Sequence, residues 1–125
     1  MAGRRAGRRT ALFLLYQWDV TGQPLTSLYE GEVDVFAREL ADAVAARAPE
    51  LDAAITAAAE GWTADRLGAI ERNVLRIGAQ ELESGSVPAE VAINEAVELA
   101  KRYATEDAAR LVNGILGRIA RERVS

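Results

Sequence analysis

At 125 residues, half of them hydrophobic, the chain suits one domain with a modest core, and its composition argues against disorder. It contains neither cysteine nor histidine, which excludes disulfides and thiolate metal sites and removes the usual general base and the commonest zinc ligand. The net charge of −4 is unevenly spread: residues 1–18 carry four arginines and no acid, residues 19–65 ten acids and two bases, and residues 66–125 nine of each.

An acidic protein with one concentrated basic end binds a polyanion at a defined place, not over its whole surface. The basic residues are fourteen arginines and one lysine. Arginine offers a planar fork to phosphates and a flat face to bases.

The periodicity predicts helices throughout. The first runs from Arg4 to Val20 and ends near Thr21-Gly22, with a core stripe of Ala11, Leu14, Leu15 and Trp18. Its longest apolar run, Ala11 to Tyr16, is too short to span a bilayer. Arginines ahead of that run loosely mimic a secretion signal, but Tyr16-Gln17-Trp18-Asp19 replaces a small-residue cleavage site. A short helix is expected over Leu25–Tyr29 and another over Val33–Ala46, with Val33, Phe36, Ala37, Leu40 and Val44 inward. Pro49 suits the first turn of a helix that ends near Gly61.

From Thr63 or Asp65 a helix is expected to Glu83, with Leu67, Ile70, Val74, Ile77 and Leu82 inward. Ser84-Gly85-Ser86 breaks it, and Pro88 opens a helix to Tyr103. Thr105 caps the last helix, whose first turn holds Glu106 and Asp107, where the helix dipole favours negative charge. Asn113-Gly114 would signal a hairpin, but it lies within Leu111-Val112-x-x-Ile115-Leu116-x-x-Ile119, whose period is helical. Gly114, Gly117 and Gly78 are expected to let neighbouring helices approach closely. Asn94 and Asn113 are expected to hydrogen-bond across helices. The pattern as a whole predicts an all-α domain of six or seven helices over residues 1–125.

Three features bear on function. Arg4, Arg5, Arg8, Arg9 and Tyr16 fall within a ~140° arc of the first helix, beside the core stripe. Such a face offers guanidinium groups to phosphates and a ring to an unstacked base. The plainer alternative is a frayed basic terminus with Tyr16 at the core edge. Arg72 and Arg76 share a helix face, and by themselves read as solvated residues in local ion pairs. Glu98 and Arg102 form an expected i,i+4 pair. The acidic run Glu30, Glu32, Asp34, Glu39 and Asp42 reads as solvated surface without metal-loop spacing. There is no phosphate loop and no nucleophile elbow.

Several segments in order carry a family resemblance: Arg8-Arg9-x-Ala11 through Tyr16-Gln17-Trp18; Gly61-Trp62-Thr63-x-Asp65-Arg66-Leu67; Ile70-Glu71-Arg72-x-Val74-Leu75-Arg76-Ile77 through Glu81-Leu82; Pro88-x-x-Val91 through Lys101; and Thr105-Glu106-Asp107 with Val112-Asn113-Gly114-Ile115-Leu116. From Arg4 to about Ile119 the chain resembles the bacterial transcription antitermination factor NusB. The resemblance implies two packed three-helix units and RNA binding without catalysis or cofactor. The implied ligand is boxA RNA of ribosomal RNA operon leaders, bound together with NusE, a small-subunit ribosomal protein. It also implies a cytoplasmic setting, in an antitermination complex on RNA polymerase, as a monomer or homodimer.

Position by position, the resemblance assigns Arg4, Arg5, Arg8, Arg9, Tyr16, Arg72, Lys101, Asp107 and Leu111 to the RNA surface. It assigns Glu71, Asn73, Arg76, Gln80 and Glu81 to the partner surface. Many relatives have an aromatic where this chain has Leu111 and another where it has Gln80. Less base stacking is expected there, and more dependence on NusE. The rival readings are the N-terminal RNA-binding domain of an rRNA cytosine methyltransferase and a protein-only interaction module. The first would need a catalytic domain beyond Ser125.

Overall fold

A computed structural model describes residues 3–124; Met1, Ala2 and Ser125 of the expected 1–125 domain lie outside the described residues. Among the described residues there are seven α-helices, one 3-10 turn and no strand. The all-α expectation holds. Helix α1 spans Arg4–Thr21 and stops at Gly22, whose left-handed backbone (φ 75°) lets its N–H donate to the Trp18 carbonyl at 3.0 Å. Helix α2 covers Leu25–Leu28. Helix α3, Val35–Ala46, starts at Asp34, whose carboxylate accepts from the Ala37 N–H at 3.1 Å. Helix α4, Ala48–Ala58, carries Pro49 in its first turn. Helices α5, Ala69–Ser84, α6, Ala89–Tyr103, and α7, Glu106–Val124, complete the fold. Thr105 caps α7 as expected, its hydroxyl accepting from the Ala108 N–H at 2.9 Å.

The helices form two units. Helices α1, α2 and α3 make the first; α5, α6 and α7 make the second, with α4 laid against α5 and α7. Helix α5 packs on α1, α3, α4, α6 and α7, and its buried residues include Val74, Leu75, Ile77 and Leu82. Buried side chains from both units form one cluster, including Leu12, Leu15, Val44, Leu51, Ile55, Leu75 and Leu116.

One expected helix is divided. Instead of running unbroken from Thr63 or Asp65, the chain makes a 3-10 turn at Ala64–Arg66, extends through Leu67 and Gly68 (ψ 150° and 155°), and only then enters α5. Buried Leu67 anchors the break. The carbonyls of Leu67 and Ala64 accept from Arg72 Nη1 at 2.8 and 3.3 Å, so this irregular backbone keeps its hydrogen bonds.

The close approaches fall at other glycines than expected. Gly78 behaves as predicted: a Cβ there would collide with a methyl of fully buried Leu116, with Ala96 also near, so α5 approaches α6 and α7 because this position has no side chain. Gly114, by contrast, faces open space, and Gly117 meets only the end of Arg121 at 3.4 Å. A tight approach that the pattern did not flag is Gly7, where a Cβ would lie 2.6 Å from the Phe36 ring. Helices α1 and α3 thus meet closely, and the small residues Gly7 and Ala11 on α1 and Ala37 and Ala41 on α3 are all buried. Asn94 and Asn113 are both exposed, and the buried amide is Asn73.

These approaches predict opposite signs for two glycine substitutions. Gly78→Ala should lower the unfolding free energy by about 1–3 kcal/mol through overpacking against Leu116. Gly114→Ala should raise it by up to about 1 kcal/mol, the helix-propensity difference, because nothing obstructs the new methyl. Urea denaturation of both variants checks the pair; a neutral or stabilising Gly78→Ala would show that α5 and α7 pack loosely there, and a destabilising Gly114→Ala would show that its methyl is obstructed.

Candidate nucleic-acid interface

Helix α1 sorts its arginines by rotation. At about 100° per residue, Arg8 falls between Leu15 and Leu12, both of which are fully buried. Arg5, Arg9 and Tyr16 fall on the other side of Leu12. Tyr16 is 39% exposed, and the side chain of Arg5 is 71% exposed. Arg4 is exposed at the helix start, its guanidinium 5.4 Å from the centre of the Phe36 ring.

Arg8 departs from its expected role. It is 3% exposed, and its Nε and Nη2 donate to the two carboxylate oxygens of Glu81 at 2.7 and 2.8 Å. The hydrogen bonds to this carboxylate raise the Arg8 pKa even though burial opposes it. With Nε and one terminal nitrogen held by Glu81 inside the protein, this guanidinium is mostly withdrawn from phosphate. Arg8 is therefore corrected from RNA contact to a clamp between α1 and α5, and Glu81, 2% exposed, from partner contact to the other half of that clamp.

A second polar cluster lies where α1, α4 and α5 meet. Asp19 accepts from Arg72 Nε at 2.7 Å, Asn73 Nδ2 at 2.9 Å and Arg76 Nη1 at 3.2 Å. Arg76 also grips both oxygens of Asp52 at 2.8 and 2.7 Å, and its Nη1 donates to Asn73 Oδ1 at 3.0 Å. Its guanidinium lies 5.6 Å from the centre of the Trp18 ring. Asn73 and Arg76 are buried and Arg72 is half-buried, so the solvated-face reading of Arg72 and Arg76 is corrected, as are the surface roles of Asn73 and Arg76. Only the carboxylates Asp19 and Asp52 could have signalled this, and neither lies near the arginines in sequence.

Burial alone would push the Asp19 pKa upward. Hydrogen bonds from Arg72 and Asn73, with the charges of Arg76 and Arg72, outweigh it and hold the carboxyl below its usual value.

The remaining candidate residues keep accessible surface. Arg5 Nε and Nη2 donate to Glu95 at 3.2 and 3.1 Å. Arg5, Arg8 and Arg9 line a small groove of about 110 Å³ with Glu95, Glu98 and Arg102. Lys101 is exposed, 3.9 Å from Glu98; the ion pair of Glu98 is with Lys101, not with Arg102 as expected. Asp107 is exposed and pairs with Arg110. Leu111 is half-buried beside α4, far in sequence from the α1 face. Glu71 is half-buried in the first turn of α5, its carboxylate folded over Gly68. Gln80 is half-buried and accepts from Arg47 Nη1 at 3.0 Å. Two acids read as solvated have partners: Asp34 caps α3, and Asp42 accepts from the Tyr29 hydroxyl at 2.5 Å.

Among the described residues, no cluster of metal-ligating side chains is present and no helix is long and apolar enough to cross a membrane.

Similar sequences and a similar fold are found in known proteins. The family model described as "NusB family" matches residues 5–121. The chain is 42% identical over 120 residues to the transcription antitermination protein NusB of Rubrobacter xylanophilus, covering 90% of this chain and 86% of that protein. It is similar to the solved structure of T. maritima NusB, with a TM-score of 0.86 at 34% identity, covering 97% of this chain and 92% of that one. It is similar too to a crystal structure of the antitermination factors NusB and NusE in complex with dsRNA, with a TM-score of 0.82 at 32% identity, covering 95% and 96%.

The Asp19 cluster generates a pH-dependent prediction. Because its folded pKa is depressed, its stabilising contribution is fully present above the unfolded value of about 3.9 and is lost as pH falls through the lower folded value. Asp19→Asn should therefore be markedly less stable than the parent at pH 7, with the difference shrinking below about pH 4. Thermal melts at pH 7 and pH 3 measure this; a pH-independent difference would mean that the charge of Asp19 does not stabilise the fold.

Proposed function

The chain belongs to the NusB family, and from that premise we propose that it is a non-catalytic transcription antitermination factor that binds boxA RNA together with NusE. The observation that carries this is the outward face of α1, where Arg5, Arg9 and Tyr16 stand together on a protein whose middle third is strongly acidic. Arg4 is exposed at the helix start, on the side towards Phe36, and adds a further positive charge nearby. The near full-length match to antitermination proteins favours this reading over the methyltransferase RNA-binding domain.

In this mechanism the exposed guanidinium groups contact phosphates and the Tyr16 ring receives an unstacked base. Arg5 exchanges its exposed bond with Glu95 for a phosphate, an exchange that costs little because surface ion pairs are weak. Lys101, Asp107 and Leu111 are proposed as further RNA contacts and Arg72 as a support, since its guanidinium is already committed to Asp19 and backbone carbonyls. Glu71 and Gln80 are the α5 positions proposed to meet NusE, with Asn73, Arg76 and Glu81 fixing the helix beneath them. In this reading the role is binding, and the charged clusters serve as ties between helices. The complex acts on RNA polymerase in the cytoplasm.

NusE and RNA touching one another while both bound here would strengthen each other's affinity by the same factor. RNA titrated into the protein alone and into its complex with NusE measures that factor.

The two classes of arginine are separable. Arg5→Ala with Arg9→Ala should leave helical circular dichroism and the denaturation midpoint near the parent's. The same double variant should weaken RNA binding and flatten the salt slope by about 0.7 for each phosphate that is no longer neutralised. Arg8→Ala should instead lower stability by about 3–5 kcal/mol, because it strands Glu81 in the interior. Fluorescence anisotropy over a salt series, with urea melts of the same proteins, tests this. An unchanged slope in the double variant would refute the α1 face as the RNA site.

A further inference from the structure

The groove where α4 meets α7 contains none of the proposed RNA or partner residues except Leu111. It is open, with a volume of about 390 Å³, within the roughly 300–1,000 Å³ typical of ligand clefts. Trp62 forms part of its wall and is 50% exposed, in a fold that buries most of its other large apolar side chains. Gly61, with φ 80°, makes the turn that leads from α4 to this tryptophan. Leu111 and Ile115 supply apolar floor, and Gly114 keeps the floor open because nothing lies within 4 Å of where its side chain would stand.

The rim is cationic. Arg110, Arg118 and Arg121 line it, against a single lining acid, Glu60. Glu60 is 88% exposed and lies 3.2 Å from Arg118, an arrangement that solvent screens and that a phosphate can displace. Arg118 also reaches Glu122 along its own helix, and Arg110 pairs with exposed Asp107. An accessible indole above an apolar floor, edged by guanidinium groups, matches a base and its phosphates. A base stacks on the ring whatever its identity, and the arginines take the backbone. An acidic peptide would satisfy the arginines but would leave the flat ring and the gap at Gly114 unused.

We propose that the α4–α7 groove is a second single-stranded RNA contact, in which one unpaired nucleotide stacks on Trp62 with its phosphates on Arg118 and Arg121. This rests on the reading of the chain as an RNA-binding protein and adds to it a site distinct from the α1 face. The contact is sequence-tolerant, since stacking and phosphate pairing read no base edge. Its effect is to lengthen the strand that the protein holds, not to select it.

The test uses a fluorescein-labelled single-stranded RNA that carries boxA with uridines on both sides. Trp62→Ala should weaken binding by roughly 5- to 150-fold, the factor that about 1–3 kcal/mol of base stacking converts to. Trp62→Phe should restore most of that affinity. Arg118→Gln should flatten the salt slope by about 0.7. In a Trp18→Phe background Trp62 is the sole tryptophan, and the unlabelled form of the same RNA should quench its emission. Parent-like affinity in Trp62→Ala, alongside weakened binding in the Arg5/Arg9 double variant, would overturn the groove and leave the α1 site standing. Quenching by NusE alone and not by RNA would overturn it in favour of a protein contact. Failure of the parent to bind the RNA at all would overturn both readings.

Discussion

A charged pair taken out of water fixes the rotation of α1, and most of what this protein presents to its surroundings follows from that rotation. Arg8 and Glu81 meet on two parallel hydrogen bonds in the interior. Such a pair contributes little net stability compared with an apolar one, because desolvating two charges offsets their attraction. It is far stricter about geometry. Turning α1 by one residue would carry Arg8 away and leave Glu81 buried and unmatched. The pair therefore holds Leu12 and Leu15 inward and leaves Arg5 and Tyr16 exposed, with Arg9 half-buried between them.

The Asp19 cluster fixes the other end of α1 in the same way. One carboxylate receives three donors from α5, and Arg76 continues the chain of bonds to Asp52 on α4. Helix α5 is thus tied to α1 at both ends by ionic contacts, and to α6 and α7 by close apolar packing at Gly78. The residues under the proposed RNA and partner surfaces belong to one bonded network. A change in α5 position would pass directly to the orientation of α1, since polar contacts of this kind do not slide as apolar ones do.

Three of the accessible arginines carry acidic partners. Arg5 has Glu95, Arg110 has Asp107, and Arg118 has Glu60 and Glu122. Each pair is weak in water and screened by salt. The acids keep the basic sites from collecting polyanions indiscriminately, and a phosphate must compete with them. With an acidic α3–α4 region alongside, binding is confined to small patches and is expected to be steeply dependent on salt and on a partner.

How much of this was legible in the chain differs by feature. Helical periodicity, Pro49, Thr105 and the glycine-containing breaks indicated six or seven helices and most of their ends, because capping and apolar spacing are local. The family-specific segments pointed to the fold type and the functional class. The basic charge of residues 4–9 was equally plain, as was the close approach at Gly78. The direction each arginine faces was not. Arg8 sits in a run of four chemically identical residues, and only Glu81, 73 positions away, makes it an interior residue. Asn73 and Arg76 looked like surface positions until Asp19 and Asp52 were brought beside them. Trp62 reads as an ordinary apolar residue at a helix junction, and its exposure depends on how α4 and α7 meet. The sequence by itself determined the helices, their order and the location of charge. The tertiary structure alone decided which charges face water and which face each other, because a charged side chain enters the core only where the fold supplies a partner from a distant part of the chain.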